Sequence, residues 1–170
     1  HADVLPQTWR NNMMKLYHGT NIDFSEIDFS KCKPNKDFGQ GFYLTDIKKQ
    51  ALEMAIRRCN FEQTGTPIVQ EYKFDETALY DGSLNIKIFD GVCPEWAEFI
   101  LRNRTSRKKT IHSYDVVIGP VADDGVVYQL NLYQQHFITI DQLVKGLEYR
   151  KLNNQYFFGT TKAISKLKRL

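Results

Sequence analysis

The sequence predicts an α+β domain dominated by antiparallel sheet. Segments typical of strands alternate with short amphipathic helices, and no βαβ unit repeats along the chain. No linker divides the 170 residues, and a domain of this length buries roughly 70% of its unfolded surface. We therefore expect a single domain over residues 15–170, after an N-terminal extension over residues 1–14 whose His1 and Ala2 are residues of an expression vector.

The composition of the chain argues against several classes of protein. Hydrophobic residues make up 42% and the formal net charge is +3, which is ordinary for a globular protein and too weak to indicate nucleic-acid binding. Cys32, Cys59 and Cys93 are odd in number and form no CxxC pair, so neither a disulfide framework nor a zinc site is indicated. No apolar run approaches the ~18 residues of a membrane span. We expect a cytoplasmic protein without a metal and without a membrane partner.

The first half of the chain alternates between strand and helix. MMKLYHGT predicts a strand that ends in a glycine turn, and GQGFYLT predicts a second strand after a polar connection. DIKKQALEMAIRRCNF has apolar residues at helical spacing, with Asp46 as its N-cap. IVQEYKF then alternates as a half-buried strand.

The second half continues this alternation. CPEWAEFILRNR predicts a helix with Pro94 near its start. SYDVVIGPVA predicts a buried strand broken by Gly119-Pro120, and DDGVVYQLNLYQ a turn followed by an extended or helical piece. Three elements close the chain.

The first of these is the helix TIDQLVKGLEY, capped by Thr139 or Asp141. NQYFFGT predicts a late strand. TKAISKLKRL predicts a closing basic helix.

Three of the strand ends carry residues suited to a ligand. His18 lies in YHGT, Tyr43 lies in DFGQGFYLT, and Gln155 lies in NNQYFF. A lone histidine between apolar residues is either a packed side chain or a ligand contact. Together the three segments resemble the ADP-ribosyltransferase superfamily, in a small bacterial toxin-like group of its diphtheria-toxin-like and poly-ADP-ribose-polymerase-like branch with a His-Tyr-Gln triad. The resemblance spans about residues 15–170.

The resemblance implies a split antiparallel β-sandwich flanked by short helices, with NAD as co-substrate. It implies that His18 hydrogen-bonds the adenine-side ribose, that the Gly19 backbone holds the nicotinamide amide, and that Tyr43 stacks on the nicotinamide ring. Gln155 occupies the position that a catalytic glutamate usually holds. The other positions that it assigns to NAD binding are Thr20, Gly41 and Ala51.

Gln155 departs from the pattern of the family. A carboxylate about 4 Å from a developing positive charge gains roughly 4 kcal/mol at an effective dielectric of 20, and a neutral amide gains a fraction of that. The amide carbonyl accepts a hydrogen bond from a ribose hydroxyl but is no general base. We therefore expect transfer of a single ADP-ribose, and Glu148 is the alternative carboxylate.

The resemblance implies a mono-ADP-ribosyltransferase that modifies a macromolecular acceptor, either a protein or a nucleic acid. It also implies the toxin of a bacterial toxin–antitoxin or conflict system, with a cognate antitoxin protein as partner. The alternative is a module of the same fold that binds NAD or ADP-ribose without turnover. Release of nicotinamide from NAD discriminates between the two.

Other polar features remain open between a structural and a functional interpretation. Asp123-Asp124-Gly125 is either a turn or an acidic pair that positions a substrate or a metal. The basic run from Arg102 to Lys109 is either a solvated loop or a docking site for an acidic acceptor or the NAD phosphates. FGQGFY lacks the third glycine of a dinucleotide fingerprint. His112 and His136 have no metal-ligand spacing with a cysteine and are expected to be structural or exposed.

Overall fold

The structure, a computed structural model, describes residues 13–170, which form two compact units. The first unit contains the described residues up to Ser25, together with Leu44–Leu84 and Thr161–Leu170; the second contains Glu26–Tyr43 and Asn85–Thr160. Because each unit combines separate segments, each depends on contacts between residues that are distant in sequence.

The described residues contain strands and helices in alternation, as expected. The strands are β1 (Met13–Thr20), β2 (Phe42–Leu44), β3 (Ile68–Asp75), β4 (Ile86–Ile88), β5 (Val116–Pro120), β6 (Asn154–Phe158) and β7 (Leu167–Arg169). The helices are α1 (Lys48–Glu62), α2 (Pro94–Thr105), α3 (Asp124–Gln134), α4 (Ile140–Leu147) and α5 (Thr161–Ile164). Phe29–Lys31 and Glu76–Leu79 form short 3₁₀ turns.

The first unit has a three-stranded antiparallel sheet in the order β1-β3-β7. Leu16 and Phe74 are fully buried in its core. Alternate residues of β3 are buried, as the period-2 pattern predicts for a half-buried strand. Ala51 and Ala55 are the buried residues of α1, and their small side chains let this helix approach β1 closely.

The second unit has a four-stranded sheet in the order β2-β6-β5-β4. β5 and β6 are antiparallel, and β4 and β5 are parallel. Its core contains the fully buried Trp96 and Phe157, and the Trp96 indole N–H donates to Pro120 O at 3.0 Å. Thr139 caps α4 in a capping box with Gln142, which confirms Thr139 over Asp141 as the cap.

The predicted α+β class is confirmed, with two sheets and several short helices. The second sheet is mixed rather than antiparallel, because the short strand β4, which the sequence did not reveal, joins β5 in parallel. The extension predicted over residues 1–14 lies mostly outside the described residues. Its last two residues, Met13 and Met14, begin β1.

Three predicted details are wrong. Asp46 is not the N-cap of α1: Ile47 takes that position, and its N–H donates to the Thr45 hydroxyl at 3.1 Å. Gly119-Pro120 does not break the buried strand but lies within β5.

The closing basic helix is also wrong beyond Ile164, because the last residues pair with β3 as β7. The edge of β3 provides hydrogen-bond partners for the backbone N–H and C=O groups of this segment. This pairing outweighs the preference for a helix that its sequence pattern indicated.

Candidate functional site

The structure divides the predicted site residues between the two units. The first unit contains the four from β1 and α1: His18, Gly19, Thr20 and Ala51. The second unit contains the three from the Gly-rich segment and β6: Gly41, Tyr43 and Gln155. His18, Tyr43 and Gln155 are half-buried, so each residue of the predicted triad retains some exposed surface.

His18 lies beside a buried polar cluster of the first unit. Its ring contacts Phe24 at 5.8 Å between centroids, and its cross-strand partner in β3 is Gln70. Gln70 is fully buried. Its amide nitrogen donates to Asp23 Oδ1 at 2.8 Å and to Phe24 O at 3.1 Å, and its carbonyl oxygen accepts from the Tyr72 hydroxyl at 2.8 Å.

Asp23 completes this cluster at the surface. It pairs with Arg169 at 2.9 Å, and the hydrogen bond from Gln70, followed by that from Arg169, lowers the pKa of its carboxyl. We call Gln70, Asp23, Arg169 and Tyr72 the Gln70 cluster. Both ends of its central amide have partners within the protein.

The three neighbours of His18 in the predicted site have structural contacts. A Cβ on Gly19 would lie 2.0 Å from Ala51 O, so the close packing of α1 requires glycine here. Ala51 is only 1% exposed. The buried Thr20 hydroxyl donates to Ile22 O at 3.0 Å. These contacts hold the end of β1 against α1 and so fix the backbone that follows His18.

Tyr43 is anchored through its hydroxyl in the second unit. The hydroxyl donates to Gly39 O at 2.7 Å and accepts from Phe38 N–H at 2.9 Å. The ring packs against Phe157 at 5.2 Å between centroids. Burial raises the pKa of Tyr43 well above its usual value, so the hydroxyl stays protonated and the ring orientation is fixed.

The segment that Tyr43 anchors is a tight glycine turn. Gly39 N–H donates to Lys36 O at 3.1 Å, and Gly39 has φ +103°, a conformation that side chains disfavour. A Cβ on Gly41 would lie 2.3 Å from the Phe157 ring. Both glycines are therefore required by the turn and by packing, and the turn presents Asp37 to the rest of the unit.

Gln155 on β6 is held by this turn. Its amide nitrogen donates to Asp37 Oδ2 at 2.9 Å. Asp37, only 7% exposed, pairs through Oδ1 with Arg104 at 2.6 Å and accepts the Ala122 N–H at 3.3 Å. We call Gln155, Asp37 and Arg104 the Gln155 cluster. Its central carboxylate is buried and charge-compensated, and the Gln155 carbonyl is the end of the amide that Asp37 does not hold.

Asp37 was not predicted as a site residue, and Arg104 was predicted only as part of the basic run from Arg102 to Lys109. Asp37 begins the segment DFGQGFYLT but resembles any loop aspartate, and Arg104 belongs to a basic run. The structure separates Arg104, which is half-buried and paired, from the exposed Arg102 and Lys108. The one indication of such a partner was Gln155 itself, since a half-buried amide requires hydrogen-bond partners.

His112 is half-buried beneath the glycine turn. Tyr114 N–H donates to its Nδ1 at 3.1 Å, so Nε2 carries the hydrogen and donates to Phe38 O at 2.6 Å. Burial is the main cause that lowers the pKa of His112. The neutral ring is thus a structural element, whereas His136 is exposed.

The remaining polar candidates lie at helix ends. Asp123 caps α3 by accepting Val126 N–H at 2.9 Å, and it pairs with Arg150 at 2.9 Å. Glu148, the alternative to Gln155, is exposed at the C-terminal end of α4, in an open cleft that Arg150 and Asn154 also line. Asp123 therefore has a helix-capping role.

Two further findings concern the described part of the chain. Within residues 13–170, no group of three or more His, Cys, Asp or Glu side chains is arranged to hold a metal ion. Over the same residues, no helix has the length and apolar composition needed to cross a membrane.

These observations define a mixed α+β protein in which the side-chain amide of Gln155, on strand β6, is hydrogen-bonded to the buried carboxylate of Asp37. A family model described as "Protein of unknown function (DUF3990)" matches residues 14–169. The match covers nearly the whole chain, so the chain belongs to this family. No curated protein and no solved structure matches it.

Proposed function

We propose that the chain is a mono-ADP-ribosyltransferase, of the ADP-ribosyltransferase fold, that transfers ADP-ribose from NAD to a macromolecular acceptor. The observation that carries the proposal is the Gln155 cluster. The donor end of the Gln155 amide is bound to Asp37 at 2.9 Å, which leaves the carbonyl as an acceptor for a ligand hydroxyl. A ribose hydroxyl is a donor of this kind.

The reaction breaks the bond between nicotinamide and ribose through a state with positive charge at the anomeric carbon. Hydrogen bonds and dipoles that stabilise this charge accelerate the reaction only if they act more strongly in the transition state. In this proposal the Gln155 carbonyl accepts from the ribose and orients it. Nicotinamide leaves with the electron pair of the broken bond, the acceptor nucleophile bonds to the anomeric carbon, and its proton goes to solvent. Because an amide is no general base, a hydroxyl of the attached ADP-ribose is not deprotonated to serve as a second acceptor, and a single ADP-ribose is transferred.

Tyr43 and His18 have the other roles in this proposal. The Tyr43 ring stacks on nicotinamide, which contributes about 0.5–1.5 kcal/mol beyond burial. Its hydroxyl is already occupied by Phe38 and Gly39, so Tyr43 acts through its ring. His18 hydrogen-bonds the adenine-side ribose, as the resemblance implies.

The biological setting is part of the same proposal. The acceptor is a protein or a nucleic acid, and the chain is the toxin of a bacterial toxin–antitoxin or conflict system with an antitoxin protein as its partner. It acts in the cytoplasm. Mass spectrometry of a cell lysate incubated with isotope-labelled NAD identifies the acceptor by its added ADP-ribose.

Nicotinamide release from NAD by the purified chain tests the enzymatic part. We expect saturable release by the wild type and loss of release in Tyr43→Leu, which removes the aromatic face. Tyr43→Phe keeps the face and should keep release, at a cost in stability of about 1–3 kcal/mol for the two hydrogen bonds of the hydroxyl. Tyr128→Leu, a change at a 63% exposed tyrosine of the same unit, is the matched control.

His18→Ala extends the same assay to the first unit. We expect a raised KM for NAD with little change in melting temperature, because the proposed contact positions substrate. The control is His136→Asn, at an exposed histidine whose φ of 65° asparagine tolerates. A large drop in melting temperature with unchanged KM would make His18 a packing residue.

The neutral amide at position 155 favours a second function, an NAD-binding or ADP-ribose-binding module. Such a module would bind NAD saturably, in a calorimetric titration, without releasing nicotinamide. Absence of both binding and release would exclude both functions.

A further inference from the structure

The two carboxylate oxygens of Asp37 have different partners: Oδ1 contacts the Arg104 guanidinium, and Oδ2 contacts the Gln155 amide. Oδ1 accepts from Arg104 Nε at 2.7 Å and lies 2.6 Å from Arg104 Nη2 in an ion pair. Oδ2 accepts from Gln155 Nε2 at 2.9 Å and from Ala122 N–H at 3.3 Å. Three hydrogen bonds and this ion pair thus converge on a side chain that is only 7% exposed, and the carboxylate has one defined orientation.

This orientation decides which way the Gln155 amide faces. A glutamine side chain has an NH₂ donor and a carbonyl acceptor, and a carboxylate only accepts. With the carbonyl turned toward Asp37, two acceptors would oppose each other, so the nitrogen faces Asp37. The carbonyl then faces away from Asp37, and its acceptor strength is increased by the charge-assisted hydrogen bond at the other end of the amide.

We propose that Asp37 is a positioning residue that fixes the Gln155 amide with its carbonyl oxygen presented to the ligand, and that Arg104 holds Asp37 for this task. The identity of the ligand hydroxyl rests on the proposed function. The coupling between Asp37 and Gln155 does not, because it is a property of the folded protein.

The same contact explains why glutamine occupies this position. A glutamate at 155 would place a second carboxylate at hydrogen-bond distance from Asp37, whose described ion-pair partner is Arg104. Like charges at this separation cannot both stay ionised without a large cost. The buried negative charge of the cluster therefore lies at position 37, and position 155 is neutral.

A double-variant cycle tests the coupling. Gln155→Glu should lower the melting temperature by about 5 °C or more, because it opposes two carboxylates. Adding Asp37→Asn to Gln155→Glu exchanges the carboxylate and the amide and restores their hydrogen bond. We expect the double variant to recover at least about half of that loss, well above the sum of the two single changes.

Kinetics of nicotinamide release test the positioning role. In Asp37→Asn the asparagine carbonyl faces Arg104, its NH₂ faces Gln155, and the Gln155 amide flips, so its carbonyl no longer faces the ligand. We expect kcat to fall about tenfold or more while KM changes little, since the contact matters most in the transition state. Asp115→Asn is the control, at a 9% exposed aspartate that accepts Asn85 N–H and the Thr160 hydroxyl. It should lower stability and leave kcat unchanged.

Three results decide the matter. Additive losses of melting temperature across the cycle would overturn the coupling, and a wild-type kcat in folded Asp37→Asn would overturn the positioning role. If the wild type releases no nicotinamide, the proposed function fails, and recovery or additivity in the melting temperatures still decides for or against the coupling.

Discussion

The Gln70 cluster and the Gln155 cluster share a Gln-Asp-Arg arrangement, to which the Gln70 cluster adds the Tyr72 hydroxyl. In each, a strand glutamine donates to an aspartate at 2.8–2.9 Å, and that aspartate pairs with an arginine. The Gln70 carbonyl accepts from the Tyr72 hydroxyl. The Gln155 cluster has no corresponding tyrosine in its described contacts. The first arrangement is complete within the protein, and the second has an acceptor to offer a ligand.

The two clusters also differ in where their charge lies. Asp23 has a side chain 57% exposed, whereas that of Asp37 is 9% exposed. A buried ion pair contributes little on balance, but removal of one partner leaves an uncompensated charge. An exposed pair is screened by water and salt. The clusters should therefore respond very differently to the same substitutions.

The largest expected difference is between Asp37→Ala and Asp23→Ala. Asp37→Ala leaves Arg104, Gln155 and Ala122 without their acceptor and should reduce the free energy of unfolding by about 2–4 kcal/mol. Asp23→Ala should cost much less, because solvent replaces its contact with Arg169 and Phe24 O still accepts from the buried Gln70 amide. Urea unfolding of both variants measures the difference. Equal losses would show that burial does not distinguish the clusters.

For the two glutamines, the larger loss of stability is expected in the first unit rather than in the second. Gln70→Ala removes a fully buried side chain and the partner of the Tyr72 hydroxyl, so a loss of about 2–3 kcal/mol is expected. Gln155→Ala should cost about 1 kcal/mol, since it removes one hydrogen bond from a half-buried residue. If Gln155→Ala were the more destabilising of the two, its amide would be a structural element like that of Gln70.

Mild acid should act on the second unit through His112. Its pKa is below the usual value of 6.5, so the unfolded chain binds a proton more readily than the folded chain. Stability is therefore full above about pH 6.5 and falls as the pH decreases toward the folded pKa. Unfolding free energies at pH 7 and pH 5 measure this fall. His112→Gln, which does not titrate, should show a smaller dependence, and an unchanged dependence would contradict the assignment.

Stronger acid should reach the first unit, with the smallest effect. The pKa of Asp23 is below its usual value of 3.8, so its contribution is present above pH 3.8 and is lost as the pH falls through the folded pKa. The main cause of the lowered pKa is the hydrogen bond from the neutral Gln70 amide, which salt does not screen, and salt should reduce the smaller part that comes from the exposed Arg169 pair. Asp23→Asn compared with wild type between pH 5 and pH 2.5, at low and high salt, measures it. A contribution that salt leaves entirely unchanged would show that the Arg169 pair adds nothing to it.

The sequence predicted those features that local pattern determines. The alternation in β3, the Pro94 start of α2 and the Thr139 cap of α4 follow from side-chain period and capping chemistry, which act within a few residues. The prediction of a helix for the segment that forms β7 was wrong, because its hydrogen-bond partners lie on β3, which is distant in sequence.

The candidate site shows the same division. Tyr43 and Gln155 were predicted as ligand contacts from their motifs, and these roles stay predictions. The partner of Gln155 was not foreseen, because residue 37 is 118 positions away in sequence and a loop aspartate carries no signal of its own. Gly19 and Gly41 were assigned to NAD binding, and the structure adds a packing reason for each.

An NAD titration followed by NMR tests most directly the claim that the Gln155 carbonyl, unlike that of Gln70, accepts from a ligand. The experiment follows the side-chain amide resonances of Gln70 and Gln155, which are assigned with the two alanine variants. The NH₂ protons of Gln155 should shift saturably with NAD, because ligand binding at the carbonyl polarises the whole amide. Those of Gln70 should shift much less, because both ends of that amide are hydrogen-bonded within the protein. A Gln155 amide that does not move at saturating NAD would contradict the claim that its carbonyl is the acceptor for the ligand.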